Sequence, residues 1–539
     1  MLPVLTAAQM AELDKYTIER LGLDSKLLMS NAARASLRVI RSVLPGYQRP
    51  VILAGTGNNG GDGVALAYYA HQSGMRPLLL LCHPEITDPP SLSLDSSYFY
   101  NICEAAYVPR KMLNNPAVLP EILSGPDCDL VVDALFGTGI DRPLGEYYQS
   151  LIDRLNLTSN PLVAIDCPSG LNCTTGEVME RAIEADLTIT MGYAKRGFFH
   201  PEAARYTGDL HVVELGFAGL GEAGVAPESH AWPDALWEPL RLPRRPDTHK
   251  GSYGRVLIVA GHKKFPGAPR LAAGGAQRSG AGLTRLVVPE DIHLACCDDP
   301  AVMTDSHPTD GRGGFAAEPS EALLEHLGWA DALVVGPGLS DGEAQQQFVK
   351  QLLAARALPV VRDADGLRAL PLEDSNNNRR WPLVLTPHAG ELARLAGVIP
   401  DVAVERWFEL AARMAFKHDA FVLAKSNQPV IASPEGALIF PLAGPAALAT
   451  GGTGDVLSGI IGALLARCHA AERDPHERMR HDPANLRATL AEIIASAVNI
   501  HSTAAELLVE DQGEEGLSPF DLHEEIPHAI LQLRETYEE

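Results

Sequence analysis

Short runs rich in Val, Ile and Leu alternate with longer amphipathic stretches along most of the chain, a pattern that predicts βα units around parallel sheets. In the first part, residues 51–54, 78–81, 130–133, 162–166 and 187–190 predict strands; in the second, 255–260, 332–335, 358–362, 383–386 and 420–424 repeat the theme. Pro359 falls at the start of its run, where a missing N–H is tolerated. Most runs lead into a cluster of Gly, Pro or Asp, and in an open parallel sheet ligands bind beyond such strand ends. Between the two sets, 216–246 is rich in Gly, Ala and Pro and sustains neither period, which predicts a connector with a short element at 232–240. The polar stretch 472–485 predicts an insertion between two helices, and the acidic tail after Glu510 a docking or frayed helix. No internal repeat stands out, so the halves are expected to be two different α/β domains.

Length and composition narrow the class. A chain of 539 residues is too long for one ordinary core, and 46% apolar with 21% charged residues is a globular composition that excludes wholesale disorder. Its 44 basic against 68 acidic residues give a net charge of -24, which argues against nucleic acid or anionic lipid as partner. Any anionic ligand must then be held locally, by backbone N–H groups or a few cations. No apolar run approaches a membrane span, and the N-terminal segment lacks the basic flank and apolar stretch of a secretory signal. The eight cysteines form no CxxC pair and no zinc spacing, so a reducing cytoplasm is the expected compartment.

The segment VILAGTGNNGGDGVALA (51–67) reads as strand, glycine-rich turn and helix, an arrangement that aims N–H groups and a helix N-terminus at an anion. Such a turn is weak evidence alone. The two amides and one carboxylate of NNGGDG add side-chain ligands that a structural turn does not need. VVDALFGTGIDRPLG (131–145) and AIDCPSGLN (164–172) carry Asp133, Asp166 and Ser169 to neighbouring strand ends. Either aspartate could by itself be a helix N-cap; three such loops at one sheet edge point to a site.

NNGGDG, DALFGTG and DCPSGL in this order resemble the epimerase domain of the NAD(P)H-hydrate repair enzymes, over roughly residues 1–215. The resemblance implies a Rossmann-like, three-layer domain that interconverts the R and S forms of hydrated NADH and NADPH. It places Asn58, Asn59, Gly60, Gly61 and Asp62, and Gly137, Thr138, Gly139, Ile140, Asp141, Arg142 and Pro143, around the substrate. It implies that Asp166 contacts the reacting ring, and that Asn59, Asp133 and Ser169 hold a potassium ion. The chemistry agrees: a carboxylate can accept and return the carbinolamine hydroxyl proton, and all-oxygen ligands suit a hard cation. LLMSNAARA (27–35) departs from the usual Asn-Ala-Gly sequence.

In the second half, ATGGTGDVLSGIIGALL (449–465) sets Gly451, Gly452 and Gly454 before an apolar helix, with Asp455 in its first turn. An isolated Asp there could merely complement the helix dipole. Its company is HKGSYGRVLIVAG (249–261), GAPRLAAGGAQRSGAGLTRLVVP (267–289), VVGPGLS (334–340), VVRDADGL (360–367), TPHAGELARL (386–395) and VLAKSNQPVIA (422–432), successive elements that can build one cleft. This order resembles the ribokinase-like, ADP- or ATP-dependent NAD(P)H-hydrate dehydratases over roughly 235–510. The resemblance implies that Asp455 is the base acting on the C6 hydroxyl, with Ala268, Gly338 and His388 also lining the hydrate site. Lys425, Ser426, Asn427, Gln428, Pro429 and Gly454 would contact the nucleotide, accompanied by Mg2+. Three segments depart from the family pattern: KSNQP (425–429) lacks the glycine after the lysine, GPAALATGG (444–452) lacks an Asn and a Gly, and AGHKKF (260–265) lacks a second glycine.

The expectation is therefore an α/β chain with an epimerase domain (1–217), a connector (218–234) and an ADP-dependent dehydratase domain (235–539). NADHX and NADPHX would be its small-molecule substrates, with no nucleic acid or membrane as partner and a homo-oligomeric assembly. The competing readings are a ribokinase-type small-molecule kinase with a regulatory first half, an epimerase with a weakened dehydratase half, and a first half reused as an interaction module.

Overall fold

The computed structural model describes residues 1–85, 91–232, 236–241, 244–354, 358–369, 381, 383–472 and 486–538. It divides into two compact units, Pro3–Ser229 and His230–Glu539, the second also taking Met1–Leu2.

The N-terminal unit is built on a parallel sheet in the order Arg110–Leu113, Leu78–Cys82, Pro50–Ala54, Leu130–Ala134, Leu162–Ile165, Leu187–Met191, Asp209–Val213. The central strands are buried on both faces, as their unbroken apolar runs require. Ile52, Leu79, Leu81 and Val132 join one core with the helices Ser25–Val43, Asn58–Gln72 and Leu94–Ala105; Val51, Leu53, Leu80 and Val131 join another with the helix Glu146–Leu155. The expected three layers follow from this alternation. Strand order reverses between Pro50–Ala54 and Leu130–Ala134, which opens a crevice at their carboxyl ends. The two loops there approach closely: a Cβ on Gly55 would lie 2.1 Å from the Leu135 carbonyl oxygen, and one on Gly60 would lie 1.9 Å from the Gly55 oxygen. Both obstacles are backbone and cannot swing aside. Gly60→Ala is therefore expected to destabilise this unit by about 3 kcal/mol or more, read as an earlier transition in a circular-dichroism melt of the full chain.

The strands of the C-terminal unit follow the order Met303–His307, Leu283–Pro289, Arg255–Val259, Ala332–Val335, Val360–Arg362, Leu383–Leu385, Ala420–Ala424, all parallel, and then Val430–Ala432 and Leu438–Pro441, antiparallel. One face packs on the helices Gly267–Arg278, Thr453–Ala471, Leu486–Gln512 and Leu522–Glu538 through Val256, Ile258, Val334 and Leu423. Small residues bring the first two of these helices together: a Cβ on Gly459 would meet the Ala272 oxygen at 2.0 Å.

Several details differ from the sequence expectation. Arg110–Leu113, Asp209–Val213 and Met303–His307 are strands that the apolar pattern did not mark, because sheet-edge strands keep polar residues on their open sides. The run at 358–362 pairs only from Val360, while the Pro359 carbonyl accepts the Leu333 N–H at 3.0 Å. The tail is a docked helix, with Leu522, Ile526, Ala529 and Leu533 buried. Within the Gly-, Ala- and Pro-rich stretch 216–246 lie the helix Leu220–Ala223, the strand Ser229–Trp232 and the helix Glu238–Arg241, the last beyond the expected connector 218–234. Residues 233–235 of the element expected at 232–240, and 473–485 of the polar insertion, lie outside the described residues. No helix among the described residues is long and apolar enough to cross a membrane.

Candidate functional site

In the N-terminal unit a cleft of about 630 Å³, within the range of small-molecule sites, opens at the strand-order reversal. Its walls include Asn58, Asn59 and Asp62 from the start of the helix Asn58–Gln72, Gly137, Thr138 and Gly139 from the second turn, and Asp166. Gly57 caps the helix without a side chain, so no capping side chain takes up the first-turn N–H groups beside the cleft. Asp166 sits in the left-handed region at φ 65°, a costly conformation for a non-glycine residue and one common at functional sites. Its Oδ1 accepts from Lys195 Nζ at 2.7 Å and from the Met191 N–H at 3.3 Å. Its Oδ2 lies 3.0 Å from where a Gly137 Cβ would be, so a side chain at 137 would press on this oxygen.

Asp133 is fully buried. Its Oδ1 accepts from Ser169 Oγ at 2.7 Å and from the Leu135 N–H, and its Oδ2 accepts from the Ser169 N–H at 2.8 Å. Burial pushes its carboxyl up to about 6 against those three hydrogen bonds. Beside Gly137, the side-chain amide of Asn59 has both Oδ1 and Nδ2 shielded from solvent and without a hydrogen-bond partner. An orphaned amide oxygen, a buried carboxylate and a hydroxyl make a donor set that fits a hard cation. Among the described residues, no group of three His, Cys, Asp or Glu side chains is placed to hold a metal.

Other predicted residues take different places. Gly60 and Gly61 line no part of the cleft; a Cβ on Gly61 would strike Met29 and Ser96, so both serve close packing. Ile140 is buried, and Asp141, Arg142 and Pro143 are exposed beyond the cleft lining. Two residues that the sequence reading passed over line it instead: Lys195, and Asp14 from the helix Ala7–Glu19. A lysine in a short strand after an apolar run was the available signal for the first. Asp14 looked like one more polar position on an amphipathic helix. Burial, followed by Asp166, raises Asp14, and burial, Asp166 and Asp14 push Asp62 well above the usual carboxylate range.

In the C-terminal unit, Asp455 occupies the first turn of the helix Thr453–Ala471, entered through Gly452 at φ 105°. Burial and then Asp363 push the Asp455 carboxyl up to about 7, with Lys425 pulling the other way. Lys425 Nζ donates to Asp363 Oδ1 at 2.7 Å, and Thr386 Oγ1 donates to the same oxygen at 2.7 Å. Burial works against the Lys425 charge, but Asp363, Glu391 and Asp455 raise it overall. A Cβ on Gly454 would lie 3.3 Å from Lys425 Nζ, which joins the lysine to the glycine-rich helix start. Asp365 accepts the Ser340 N–H at 2.9 Å and ties in the Gly338 turn, where Gly338 packs on Ala268. His388 caps the helix Ala389–Ala396, its Nδ1 accepting from the Gly390 N–H, and its backbone bridges to Lys425. Ser426, Asn427, Gln428 and Pro429 close an antiparallel hairpin between Ala420–Ala424 and Val430–Ala432, with Ser426 Oγ accepting from the Gln428 N–H and donating to its carbonyl. Asp363 and Glu391 lie in the segments VVRDADGL and TPHAGELARL, which were expected to help build the cleft, but neither was singled out as a site residue; their effect on Asp455 appears only in three dimensions.

A family model described as YjeF-related protein N-terminus matches residues 25–197, and one described as NAD(P)H-hydrate dehydratase matches 256–528. The bifunctional NAD(P)H-hydrate repair enzyme Nnr of Thermofilum pendens is 31% identical over 100% of this chain and 98% of its own length. The chain belongs to the bifunctional NAD(P)H-hydrate repair enzymes. Repair enzymes of the same name from Salinibacter ruber (36% identical, 86% of this chain and 88% of that one) and Escherichia coli (33%, 94% and 90%) are similar along both units. A Bacillus subtilis ADP/ATP-dependent NAD(P)H-hydrate dehydratase, co-crystallised with ATP/Mg2+, is 29% identical and covers 56% of this chain and 98% of its own, at a TM-score of 0.44. The match to the dehydratase model lies wholly within the C-terminal unit.

Proposed function

We propose that this chain repairs hydrated NADH and NADPH in two steps. The N-terminal unit exchanges the R and S hydrates, and the C-terminal unit dehydrates the S form at the expense of ADP. The observation that carries the reading is the presence of two separate carboxylates at two sheet edges, each beside a lysine and a glycine-rich turn: Asp166 with Lys195 and Asp455 with Lys425.

In the first step Asp166 Oδ2, which takes no hydrogen bond from the described residues and is turned toward Gly137, accepts the hydroxyl proton of the hydrated ring. The oxygen closes on C6 as a carbonyl while the C6–N1 bond breaks toward nitrogen, N1 re-adds to the other face, and Asp166 returns the proton to the oxygen. The turn at Gly137, Thr138 and Gly139 and the helix start at Asn58 hold the substrate. Asn59 Oδ1, Asp133 and Ser169 Oγ would hold a potassium ion, whose charge would steady the anionic part of the substrate. Titrating potassium against sodium should tighten substrate binding in the parent. Asp133→Ala should remove that dependence and raise KM by roughly tenfold, as for the loss of one ionic contact worth about 1.4 kcal/mol. Equal binding in both salts for parent and variant would remove the cation from the reading.

In the second step Asp455 takes the proton of the C6 hydroxyl while the N–H groups of Gly452 and Gly454, at the helix start, would receive the transferring group. ADP, or ATP, with Mg2+ supplies the phosphoryl group that turns hydroxide into a better leaving group. Lys425 offers its charge beside Gly454, and Ala268, Gly338 and His388 bound the hydrate side. Incubating pure protein with mixed R/S NADHX and ADP, ATP or neither, while following NADH absorbance, tests the whole scheme. NADH should form from both epimers only with nucleotide, and the epimers should equilibrate without it. A stable phosphorylated product in place of NADH would instead indicate a kinase.

A further inference from the structure

Lys195 is fully buried, in a two-residue strand whose register pairs it with Leu5. Its three ammonium protons all find acceptors: Asp166 Oδ1 at 2.7 Å, Thr190 Oγ1 at 2.7 Å and the Met191 carbonyl at 2.9 Å. Taking an ammonium out of water costs several kcal/mol before any pairing, so a lysine at this depth calls for a reason. A saturated backbone carbonyl and a threonine supply no charge; the carboxylate of Asp166 does.

The arrangement treats the two oxygens of Asp166 differently. Oδ1 receives Lys195, the Met191 N–H and, at 3.4 Å, Thr190 Oγ1, whereas every hydrogen bond to the carboxylate among the described residues stops there. Oδ2 is left facing Gly137 in the cleft wall. Charged groups face Asp166 from each neighbouring element. Asp14 projects from the helix Ala7–Glu19, which is fastened by the Thr6–Gln9 capping box and by Thr17 Oγ1 accepting the Ala218 N–H. Asp62 projects from the helix Asn58–Gln72. Neither makes a hydrogen bond or ion pair among the described residues, and Lys195 is the one cation among the described residues that line the cleft. Two carboxyl groups and one buried lysine therefore act on Asp166 with opposite sign.

We propose that Lys195 is the positioning residue of the epimerase reaction: it grips Asp166 through Oδ1, so that Oδ2 alone meets the hydroxyl of the hydrated ring. The proton moves from that hydroxyl to Oδ2 as the C6–N1 bond opens and C6 becomes a carbonyl, and it returns to the oxygen when N1 closes on the other face of C6. The stereocentre inverts with no net change of atoms or electrons, while Lys195 never exchanges a proton with the substrate. This rests on the epimerase reading of the cleft.

The test measures R/S exchange of NADHX across about pH 5.5 to 9 in the full chain, for parent, Lys195→Met, Lys195→Arg and Asp14→Asn. Dehydration of the S form in the same samples reports the C-terminal unit. Lys195→Met should lower kcat for exchange roughly 100-fold while KM changes less than about threefold, in the range typical of disabling a general base. Its acid limb should move up by at least one pH unit. Lys195→Arg should keep the limb near its parental position with a partial rate. Asp14→Asn, which leaves Lys195 in place, should move the limb down, and this arm holds even if Lys195→Met does not fold. A limb unmoved in every variant, or parental exchange in Lys195→Met, overturns the proposal. A parent chain that forms NADH from the S hydrate but never exchanges the epimers overturns the epimerase reading instead, and the role of Lys195 with it.

Discussion

Asp455→Asn should lower NADH formation by about three orders of magnitude or more while R/S exchange continues at the parental rate. The amide keeps the shape of the carboxylate and its place in the first helical turn, but it cannot take a proton, and a positioned base contributes roughly 10²–10⁴-fold. The two carboxylates belong to separate compact units, so losing one should leave the other working. The pH dependence follows in sign from the raised Asp455 carboxyl. Because burial and Asp363 push it up to about 7, the charged and active form is scarce below that pH. Dehydration should rise about tenfold per pH unit up to roughly 7 and then level off. Stability runs the opposite way: a carboxyl raised on folding supports the fold below its ordinary value and loses that support as pH climbs through about 7. The Asp455→Asn protein should therefore melt above the parent at pH 8, and this difference should shrink toward pH 5. Simultaneous loss of exchange and dehydration in a folded variant would mean that the two sites are not independent.

Lys425→Met should cost the C-terminal unit about 3–5 kcal/mol, the penalty of leaving a buried carboxylate without its cation. Asp363 is buried, and its Oδ1 is shared by Lys425 and Thr386. The same substitution removes the cation that pulls Asp455 down, so any residual dehydration should shift its acid limb above about 7. Adding Asp363→Asn should recover much of the lost stability by removing the stranded charge, without restoring the rate. Urea denaturation of the single and double variants, with dehydration assayed across pH, separates these effects. A single variant as stable as the parent would show that the pair is not worth what its burial implies.

Much of the architecture was legible in the chain because buried parallel strands must be apolar along their whole length. Runs such as 51–54 and 420–424 could hardly be anything else between amphipathic stretches. The edge strands Asp209–Val213 and Met303–His307 were not legible, since an exposed side lets histidine, serine and aspartate into the pattern. Asp133, Asp166 and Asp455 could be singled out because each follows a strand or opens a helix beside glycines. Asn59 could be singled out from its motif, but the isolation of its amide emerged only from packing.

By itself, then, the order of apolar runs and glycine-rich turns determined two α/β units and the loops able to meet an anion. Short-range chemistry, a strand end, a free helix N-terminus or a missing Cβ, is written in neighbouring residues. The tertiary structure decided what those groups do to one another. It brought Lys195 to Asp166 across 29 positions and Lys425 to Asp363 across 62, and it set Asp14 and Asp62 facing a third carboxylate. Charge strength depends on distance and on exclusion of water, and both are properties of the folded chain rather than of residue order.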